Sequence, residues 1–444
     1  MDEEGGERIG DGPEDAPVST HRAGSARRVS PGVEHAKAFE IPEGSPSFVP
    51  AIPDESPRVN PDEFRRILMS CVLAGASDVT IQTDQQARAE IHGRLYRVTR
   101  RPWSPSEIDA ILSEVYGNAS AQTEINGRVV LDFSYELNLG KGNRQRFRVN
   151  ATGIHGRSGS GVEITMRALP SMTPTAKQVS LSDEELSALM PRDGIVVIAG
   201  ATGSGKSTTM AAITRDHLES AITPVKIVDI QAPIEYTYQD VTSNLSGSSS
   251  TIGASEVKRH IESFADGVHS ALRRKPHIIM VGEARDFATI SASLEASLTG
   301  HLVYTTTHAG SVVDAMRRLL SVFPAAERDA RAYDLLSGLR FLMVQHLVPR
   351  QDRPGRVPIR ELLEVNSSVR EKLIIHPTTE WAGKLIEIMR QDGNDHIGGA
   401  LKRSLPDSVI PLYRNGTITK HDAIRIGGAE VARMIAGENL EPVS

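Results

Sequence analysis

A glycine-rich segment that ends in lysine and serine is the part of this chain whose residue types and spacing most clearly permit chemistry. Glycines in such a loop let successive backbone N–H groups face a phosphate, while the lysine reaches the β- and γ-phosphate oxygens and the serine hydroxyl binds Mg²⁺. The residues predicted to bind a nucleoside triphosphate are Gly200, Thr202, Gly203, Ser204, Gly205, Lys206, Ser207 and Thr208, with Ser207 as the Mg²⁺ ligand.

The elements on either side of this loop have the types that a phosphate site requires. Residues 195–199 are all apolar and predict a buried strand, and a helix is predicted from Ser207 through about His217. The amino end of a helix carries partial positive charge, which adds to the attraction for phosphate. The alternative is a glycine-rich connector with a coincidental lysine, which would not account for the acidic residues that follow.

Two glutamates come directly after apolar runs elsewhere in the chain. Glu283 ends the stretch that begins at Ile278, and Glu235 follows the predicted strand 225–230. Layered α/β sheets bind ligands at the carboxyl ends of their strands, so both carboxylates are expected beside the loop. We predict that Glu283 holds Mg²⁺ through water and that both glutamates are catalytic, because hydrolysis needs a held metal and an oriented water. A structural ion pair between Glu283 and Arg285 is the alternative.

Charge and cysteine content restrict the class of protein. Residues 1–58 hold twelve acidic and six basic side chains without apolar periodicity, which predicts a disordered acidic, proline-rich tail. The remaining residues carry 44 charges of each sign, so direct nucleic-acid binding is not expected. The single cysteine, Cys71, excludes an intramolecular disulfide and is expected to be a buried thiol in a reducing compartment. Without an apolar run near the roughly 18 residues that cross a bilayer, membrane association would be peripheral.

Hydrophobic patterns divide the chain of 444 residues, which is longer than one core usually supports. The pattern predicts an α/β fold in several parts: a small α/β domain over 59–168, a linker over 169–190, a layered domain with parallel strands over 191–375 and a helical region over 376–444. In the small domain we expect helices from Pro61 and over Glu107–Tyr116, and strands at 78–82, where residues alternate, and at 87–91, 94–98, 129–135, 146–150 and 161–167. In the layered domain we expect strands at 195–199, 225–230, 277–281 and 302–306, and one helix from Ser255 to Arg274.

Four motifs, and their order along the chain, resemble those of the secretion ATPase superfamily, which serves type II and type IV secretion and type IV pili. Lys206 and Ser207 match its Walker A motif, residues 231–235 its acidic box, 281–286 its Walker B motif and 299–308 its histidine box. The similarity runs from about residue 64 to 375. It is nearest to the Dot/Icm type IVB secretion ATPases and to related conjugative-plasmid transfer ATPases.

The resemblance implies a RecA-like P-loop NTPase domain preceded by a smaller PAS-like α/β domain. It also implies a homohexamer with ATP and Mg²⁺ between subunits, bound to secretion or conjugation apparatus proteins at the cytoplasmic face of a bacterial inner membrane. Arg148 and Arg167, with Arg146 as a weaker candidate, would reach phosphate when the domains close, and His301 and His308 would sense the γ-phosphate or relay closure. Without the resemblance, such arginines indicate a solvated face and such histidines core residues.

Gln231 departs from the superfamily pattern, which usually has Glu-Asp before Pro-Ile-Glu, and the missing carboxylate weakens the expectation of robust hydrolysis. Pilus retraction is the alternative function within the superfamily. Outside it, a nucleotide-gated scaffold, a DNA motor and a GTPase remain to be tested. The GTPase alternative depends on Thr419-Lys420-His421-Asp422, which fits a guanine-recognition pattern but follows no predicted strand.

Overall fold

The computed structural model describes residues 56–438, except 92–93, 141–142, 158, 244–247, 354 and 391–395. The tail predicted for residues 1–58 therefore lies almost entirely outside the described residues. Within the described part, the strands form one sheet of six and one sheet of nine.

The six-stranded sheet belongs to the amino-terminal region, residues 56–168. Its strands are β1 Ala76–Gln82, β2 Arg88–Ile91, β3 Arg94–Arg97, β4 Leu131–Gly140, β5 Asn143–Ile154 and β6 Gly161–Ala168. They lie in the order β3-β2-β1-β6-β5-β4, and every neighbouring pair is antiparallel. A strand is predicted from the sequence at each of these six places, and the alternating burial along β1 reflects a sheet with one buried face.

Three helices pack with this sheet: α1 Pro61–Leu73, α2 Pro105–Tyr116 and α3 Ala121–Asn126. The helix α2 begins with a capping box between Ser104 and Glu107, which satisfies N–H groups that have no partner within a helix. Phe64 of α1 and Ile108 of α2 are fully buried in a shared core. Cys71 lies in the same core, and burial raises the pKa of its thiol to about 12, so the prediction of a buried thiol is confirmed.

The nine-stranded sheet belongs to the carboxy-terminal region, residues 169–438. Its strands are β7 Gly194–Ala199, β8 Lys226–Gln231, β9 Thr251–Glu256, β10 Ile278–Val281, β11 Leu302–Thr307, β12 Leu339–Pro349, β13 Arg356–Glu364, β14 His396–Ile397 and β15 Ala400–Arg403. The order is β14-β15-β13-β12-β7-β11-β10-β8-β9. The strands from β12 to β9 in this order are parallel, and the other three pairings are antiparallel. The four predicted parallel strands are confirmed, whereas β9, β12 and β13 were not predicted.

Helices lie on both faces of this sheet. They are α4 Asp183–Leu189, α5 Lys206–Glu219, α6 Gln239–Thr242, α7 Phe264–Leu272, α8 Phe287–Leu298, α9 Val312–Ser321, α10 Arg328–Gly338, α11 Ser367–Ile374, α12 Trp381–Arg390, α13 Leu405–Arg414 and α14 Lys420–Glu438, which is kinked at Gly428. Val197 and Val196 of β7 face two different cores, one on each side of the sheet. Among the described helices, none is long and apolar enough to cross a membrane.

The helix predicted from Ser255 to Arg274 is wrong in its first half. Residues 251–256 form β9, which adds to the edge of the sheet beside β8, and the helix begins only at Phe264 after the capping residue Ser263. Val257 and Ile261 have helical spacing but instead form an isolated bridge with each other. Pairing with the open edge of β8 overrides the local helical pattern, which carries no information about a distant strand.

The predicted helical region beyond Ile375 contains the helices α12, α13 and α14, but it also contains β14 and β15, which form a hairpin, and β15 joins the nine-stranded sheet. The turn consists of Gly398 and Gly399, with φ 55° and 81°. Two consecutive residues with positive φ match the twist of an antiparallel hairpin. In the sequence the same glycines indicated only a break between helices. The segment predicted as a linker likewise contains a helix, α4, capped by Ser182.

Candidate nucleotide-binding site

The glycine-rich loop leaves the strand β7 and enters the helix α5, as predicted. All six residues of β7 are buried, and Gly205 at the start of α5 has φ 85°. Gly200 has φ 149°, and a Cβ atom there would lie 2.3 Å from the carbonyl oxygen of Gln345. Position 200 therefore accepts only glycine, because a side chain would collide with the backbone of β12.

The ammonium group of Lys206 lies over its own loop. Its Nζ donates to the carbonyl oxygens of Gly200 at 2.7 Å and Ala201 at 3.0 Å. Burial lowers the pKa of Lys206, while the negative charges of Glu283 and Glu235 act in the opposite direction. A phosphate oxygen is a stronger partner for an ammonium group than a neutral carbonyl. The lysine can therefore exchange these carbonyls for a bound phosphate.

A buried glutamine on β12 fixes the shape of the loop. Gln345 donates from Nε2 to the carbonyl oxygen of Ser204 at 2.7 Å, and its Oε1 accepts from Thr209 Oγ1 and Arg360 Nε, both at 2.9 Å. Only 2% of Gln345 is exposed. The sequence motifs did not mark this residue, although a glutamine directly after the apolar run 341–344 is a usable signal for a buried polar contact.

Glu283 follows β10 at the carboxyl end of the sheet, the edge at which the loop lies. The N–H of Gly282 donates to the carbonyl of Ile230 at 2.8 Å, and the N–H of Ala284 donates to the carbonyl of Thr306 at 2.9 Å. These bonds attach the residues on both sides of Glu283 to the neighbouring strands β8 and β11. The position of this carboxylate is therefore set by rigid parts of the sheet.

The Glu283 carboxylate has two loose neighbours, the guanidinium of Arg285 and the imidazole of His308. Oε2 lies 3.7 Å from NH1 of Arg285, and Oε1 lies 3.5 Å from Nε2 of His308. Both separations exceed ordinary hydrogen-bond lengths, and 26% of the Glu283 side chain is exposed. The alternative role of Glu283 as a structural partner of Arg285 is thus at most a loose contact, and the carboxylate retains capacity for water and metal.

The two histidines of the histidine box lie at opposite ends of β11. His308 follows the last residue of the strand, beside Glu283. His301 precedes the first residue, and its Nδ1 lies 3.1 Å from the carbonyl oxygen of Ala296. Six extended residues separate the two histidines, which corresponds to about 20 Å. Within one chain the structure brings His308 to the loop and leaves His301 at the other edge, so a role for His301 stays a prediction.

Glu235 arrives at the loop through the segment that follows β8. The charges of Glu235 and Glu283 both favour the charged forms of Lys206 and of Arg148. The pKa of Arg148 is raised first by its hydrogen bond to Asp132 and then by these two glutamates. Such interactions weaken with distance, so both glutamates lie within electrostatic reach of Lys206 and of Arg148. The two predicted glutamates are therefore gathered beside the predicted lysine.

Arg148 and Arg167 lie opposite each other on β5 and β6, where directly paired residues share a face of the sheet. Arg148 NH2 lies 2.6 Å from Asp132 Oδ2, and Arg167 Nε lies 2.9 Å from Asp78 Oδ1. In the described part of the chain both guanidiniums are bound to carboxylates of their own sheet, and neither makes a hydrogen bond with the loop. Their contact with phosphate stays a prediction that requires these carboxylates to be exchanged for a phosphate.

Arg146, the weaker candidate, is engaged elsewhere. Only 8% of this residue is exposed, and its guanidinium donates to the carbonyl oxygens of Glu235 at 2.9 Å and Ile234 at 2.6 Å. Burial lowers the pKa of Arg146. The side chain thus holds the backbone of the acidic box instead of facing the loop.

One acid that the motifs did not mark lies on β8. Asp229 is 1% exposed, and burial raises its pKa to about 7. Gln231 donates from Nε2 to Asp229 Oδ1 at 2.7 Å, and Asp229 Oδ2 has no hydrogen-bond partner within the described chain. The unusual glutamine of the acidic box therefore has its own partner. The available signal is an aspartate inside an apolar strand, two residues before a glutamine on the same face.

The residues of the loop fit a nucleotide phosphate with Mg²⁺. The Ser204 hydroxyl is buried and has no hydrogen-bond partner among the residues described, and the first N–H groups of α5 have no partner within their helix. Both are donors suited to an anion. No group of three or more His, Cys, Asp or Glu in the described chain could hold a metal by itself. An Mg²⁺ ion here would depend on Ser207, on Glu283 through water and on the nucleotide.

A parallel α/β sheet with a glycine-rich phosphate loop at its carboxyl edge defines the class of P-loop nucleotide-binding proteins. Residues 56–397 match the family model described as Type II/IV secretion system protein. The chain belongs to this family, and the resemblance drawn from its motifs is confirmed.

Two solved structures and one further relative are similar to this chain over most of its length. The ATPase DotB from Legionella pneumophila is 36% identical, with a TM-score of 0.76 over 88% of this chain and 99% of that one. The pilus retraction motor PilT with bound ADP is 27% identical, with a TM-score of 0.68 over 83% and 99% of the two chains. The "Twitching motility protein" of Neisseria gonorrhoeae is 34% identical over 76% of this chain and 82% of the relative.

Proposed function

We propose that this chain hydrolyses ATP as a motor subunit of a type IVB, Dot/Icm-like secretion or conjugation system. The observation that carries the proposal is that Lys206, Glu235 and Glu283 follow the parallel strands β7, β8 and β10 at the same edge of one sheet. The match to the family described as Type II/IV secretion system protein supports the assignment to secretion, and the likeness to DotB over nearly all of that protein supports the choice of the DotB-like group within it. Similarity to proteins named as ATPases supports the reaction.

The phosphates bind to the loop N–H groups and to Lys206. Mg²⁺ held by Ser207 would neutralise charge between the phosphates. With nucleotide and Mg²⁺ bound, Glu235 would orient the attacking water and Glu283 would hold the metal through water, while His308 would report the state of the γ-phosphate through its contact with Glu283.

The subunits form a homohexamer with nucleotide between neighbours, at the cytoplasmic face of a bacterial inner membrane. In that assembly Arg148 and Arg167 of the amino-terminal region, which we take as a PAS-like domain, complete the charge around the γ-phosphate upon closure. A planar guanidinium suits this role better than an ammonium group. In the single chain, carboxylates of their own sheet bind both arginines. Their role at the nucleotide therefore requires the neighbouring subunit of the ring. Native mass spectrometry with and without ATP tests the hexamer.

Steady-state phosphate release tests the reaction. We expect Lys206→Ala to lower nucleotide affinity at least about tenfold, and Glu283→Gln to keep binding while turnover falls by about a hundredfold. The control is Glu295→Gln, an exposed carboxylate on α8, which should behave as the wild type. Equal phosphate release from all of these proteins would show that the activity does not arise at this site and would leave only a nucleotide-gated scaffold.

Pilus retraction is the second candidate function, because the twitching motility relative and PilT match most of this chain. Deletion of the gene in its host separates the two candidates. Loss of substrate export or plasmid transfer with normal twitching supports the secretion motor. Loss of twitching with normal export supports retraction.

A further inference from the structure

The segment that carries Glu235 is held by two buried charged side chains. Arg146 of β5 donates from NH2 to the carbonyl of Ile234 and from NH1 to the carbonyl of Glu235, at 2.6 and 2.9 Å. Glu256, the last residue of β9, accepts from the N–H of Ile234 at 3.2 Å. Both backbone polar groups of Ile234 are therefore bound by side chains of opposite charge. We call these contacts the backbone clamp.

The same glutamate also binds the amino-terminal region. Glu256 Oε1 accepts from the backbone N–H of Ser134 at 3.1 Å, and Oε2 accepts from the Ser134 hydroxyl at 2.6 Å. Arg259 donates from NH1 to the carbonyl of Ser134 at 2.8 Å. Ser134 lies on β4, the strand paired with the one that carries Arg146. The backbone clamp thus connects one corner of the amino-terminal sheet to the segment before Glu235.

Because Arg146 and Glu256 are buried, their contacts favour one arrangement of the amino-terminal sheet and the segment before Glu235. Glu256 is 1% exposed and Arg146 is 8% exposed, so neither side chain can replace its partners by water without a large movement. A buried charge that loses its hydrogen-bond partners destabilises a protein strongly. The docked position of the amino-terminal sheet and the observed path of residues 234–235 are consequently favoured together.

We propose that Arg146 and Glu256 are positioning residues that set the orientation of Glu235 according to whether the amino-terminal region is docked. They act through the backbone of Ile234 and Glu235 and touch neither the loop nor Lys206 in the described structure. When the amino-terminal region moves during closure, Arg146 moves with β5, and the carbonyls at 234 and 235 must follow or be released. This inference rests on the proposed function, because it concerns the step in which Glu235 acts.

Turnover and nucleotide affinity, measured on the same full-length variants, test this role. For Arg146→Met and Glu256→Gln we expect kcat to fall at least about tenfold while the Kd for a fluorescent ATP analogue changes less than about threefold. Arg146→Lys should also be impaired, because a single ammonium group cannot reproduce the fork that reaches two carbonyls. The matched control is Arg144→Met on the same strand, whose exposed side chain pairs with Glu136 at the surface. It should keep wild-type values.

Hydrogen exchange provides a readout that does not depend on turnover. In Glu256→Gln we expect the backbone N–H groups of Ala232 and of residues 234–236 to exchange at least about tenfold faster than in the wild type, with unchanged exchange in α5. Ser134→Ala removes only the hydroxyl contact and should give a smaller change in the same direction. This milder variant keeps the test decisive if the stronger ones fail to fold.

The two proposals fail in different ways. A wild-type protein that binds ATP without hydrolysing it would contradict the proposed function, while exchange at 232–236 would still decide the backbone clamp. Unchanged exchange in Glu256→Gln, or an equal loss of affinity and kcat in Arg146→Met and Arg144→Met, would overturn the clamp and leave hydrolysis intact.

Discussion

Gln231 donates a hydrogen bond from Nε2 to Oδ1 of Asp229 over 2.7 Å. At position 231 the chain departs from the acidic box of its family. The glutamine found there has a hydrogen-bond partner two residues earlier on the same strand. An amide can donate to a buried carboxylate, whereas a second carboxylate at 231 would face the first at hydrogen-bond distance. The chain therefore lacks a carboxylate at 231 but has a carboxyl group at 229, inside the sheet.

Gln231→Glu should destabilise the protein above pH 7, because two carboxylates at this distance repel each other unless one is protonated. Combining it with Asp229→Asn reverses donor and acceptor and should recover most of the loss. We expect a coupling free energy of about 1–3 kcal/mol in a double-mutant cycle of urea unfolding. Additive effects of the two changes would contradict the pairing. Phosphate release by the double variant shows whether an acid at 231 increases turnover.

The pH dependence of stability should change in Asp229→Asn. Burial raises the pKa of Asp229 from 3.8 to about 7, so between these values the folded chain binds more protons than the unfolded chain. The free energy of unfolding must then fall as pH rises through that window. The Asn variant lacks this pH-dependent loss of stability. Its free energy of unfolding relative to the wild type should therefore be greater at pH 8 than at pH 4, by about 4 kcal/mol at most.

Urea unfolding of both proteins at several pH values measures this difference, and other groups that titrate in the window cancel because both proteins contain them. Glu295→Gln, at an exposed carboxylate on α8, serves as the control and should show no such trend. A difference between Asp229→Asn and wild type that stays constant with pH would rule out a raised pKa at this position.

Gln345→Met should weaken both folding and nucleotide binding. It leaves the Ser204 carbonyl, the Thr209 hydroxyl and the Arg360 Nε without their partner, and unsatisfied buried groups cost about 1–3 kcal/mol each. We expect a loss of about 3 kcal/mol in unfolding free energy and about tenfold weaker nucleotide binding. Met343→Leu, a buried residue on the same strand, should cost less than about 1.5 kcal/mol and keep affinity. Equal losses of stability and affinity in Gln345→Met and Met343→Leu would show that the hydrogen bonds of Gln345 do not support the loop.

Thr419→Ala should cost about 1 kcal/mol in stability without altering the preference for ATP over GTP. The Thr419 hydroxyl accepts from the N–H of Asp422 at 3.0 Å and donates to the Asp422 carboxylate at 2.8 Å, where α14 begins. The residues that fit a guanine-recognition pattern thus form the cap of a helix. Turnover measured with both nucleotides checks this, and a selective loss of GTP hydrolysis would revive the GTPase alternative.

The sequence by itself determined the features that depend on contiguous residues. The apolar run before Gly200, the glycine spacing and the strand before Glu283 are local patterns, and each specifies an element together with the end of that element at which a ligand binds. Alternating residues likewise predicted the strand β1 of the amino-terminal sheet, because one face of an antiparallel sheet is buried and the other is exposed.

Only the tertiary structure decided the contacts between distant parts of the chain. Arg146 and Ile234 are 88 residues apart, and Thr209 and Gln345 are 136 apart, so no periodicity within either segment records that they meet. Residues 251–256 likewise form a strand because they pair with the edge of β8. A local pattern specifies which face of an element is buried, whereas the partner that covers it, and the hydrogen bonds made there, follow from how the sheets and helices pack.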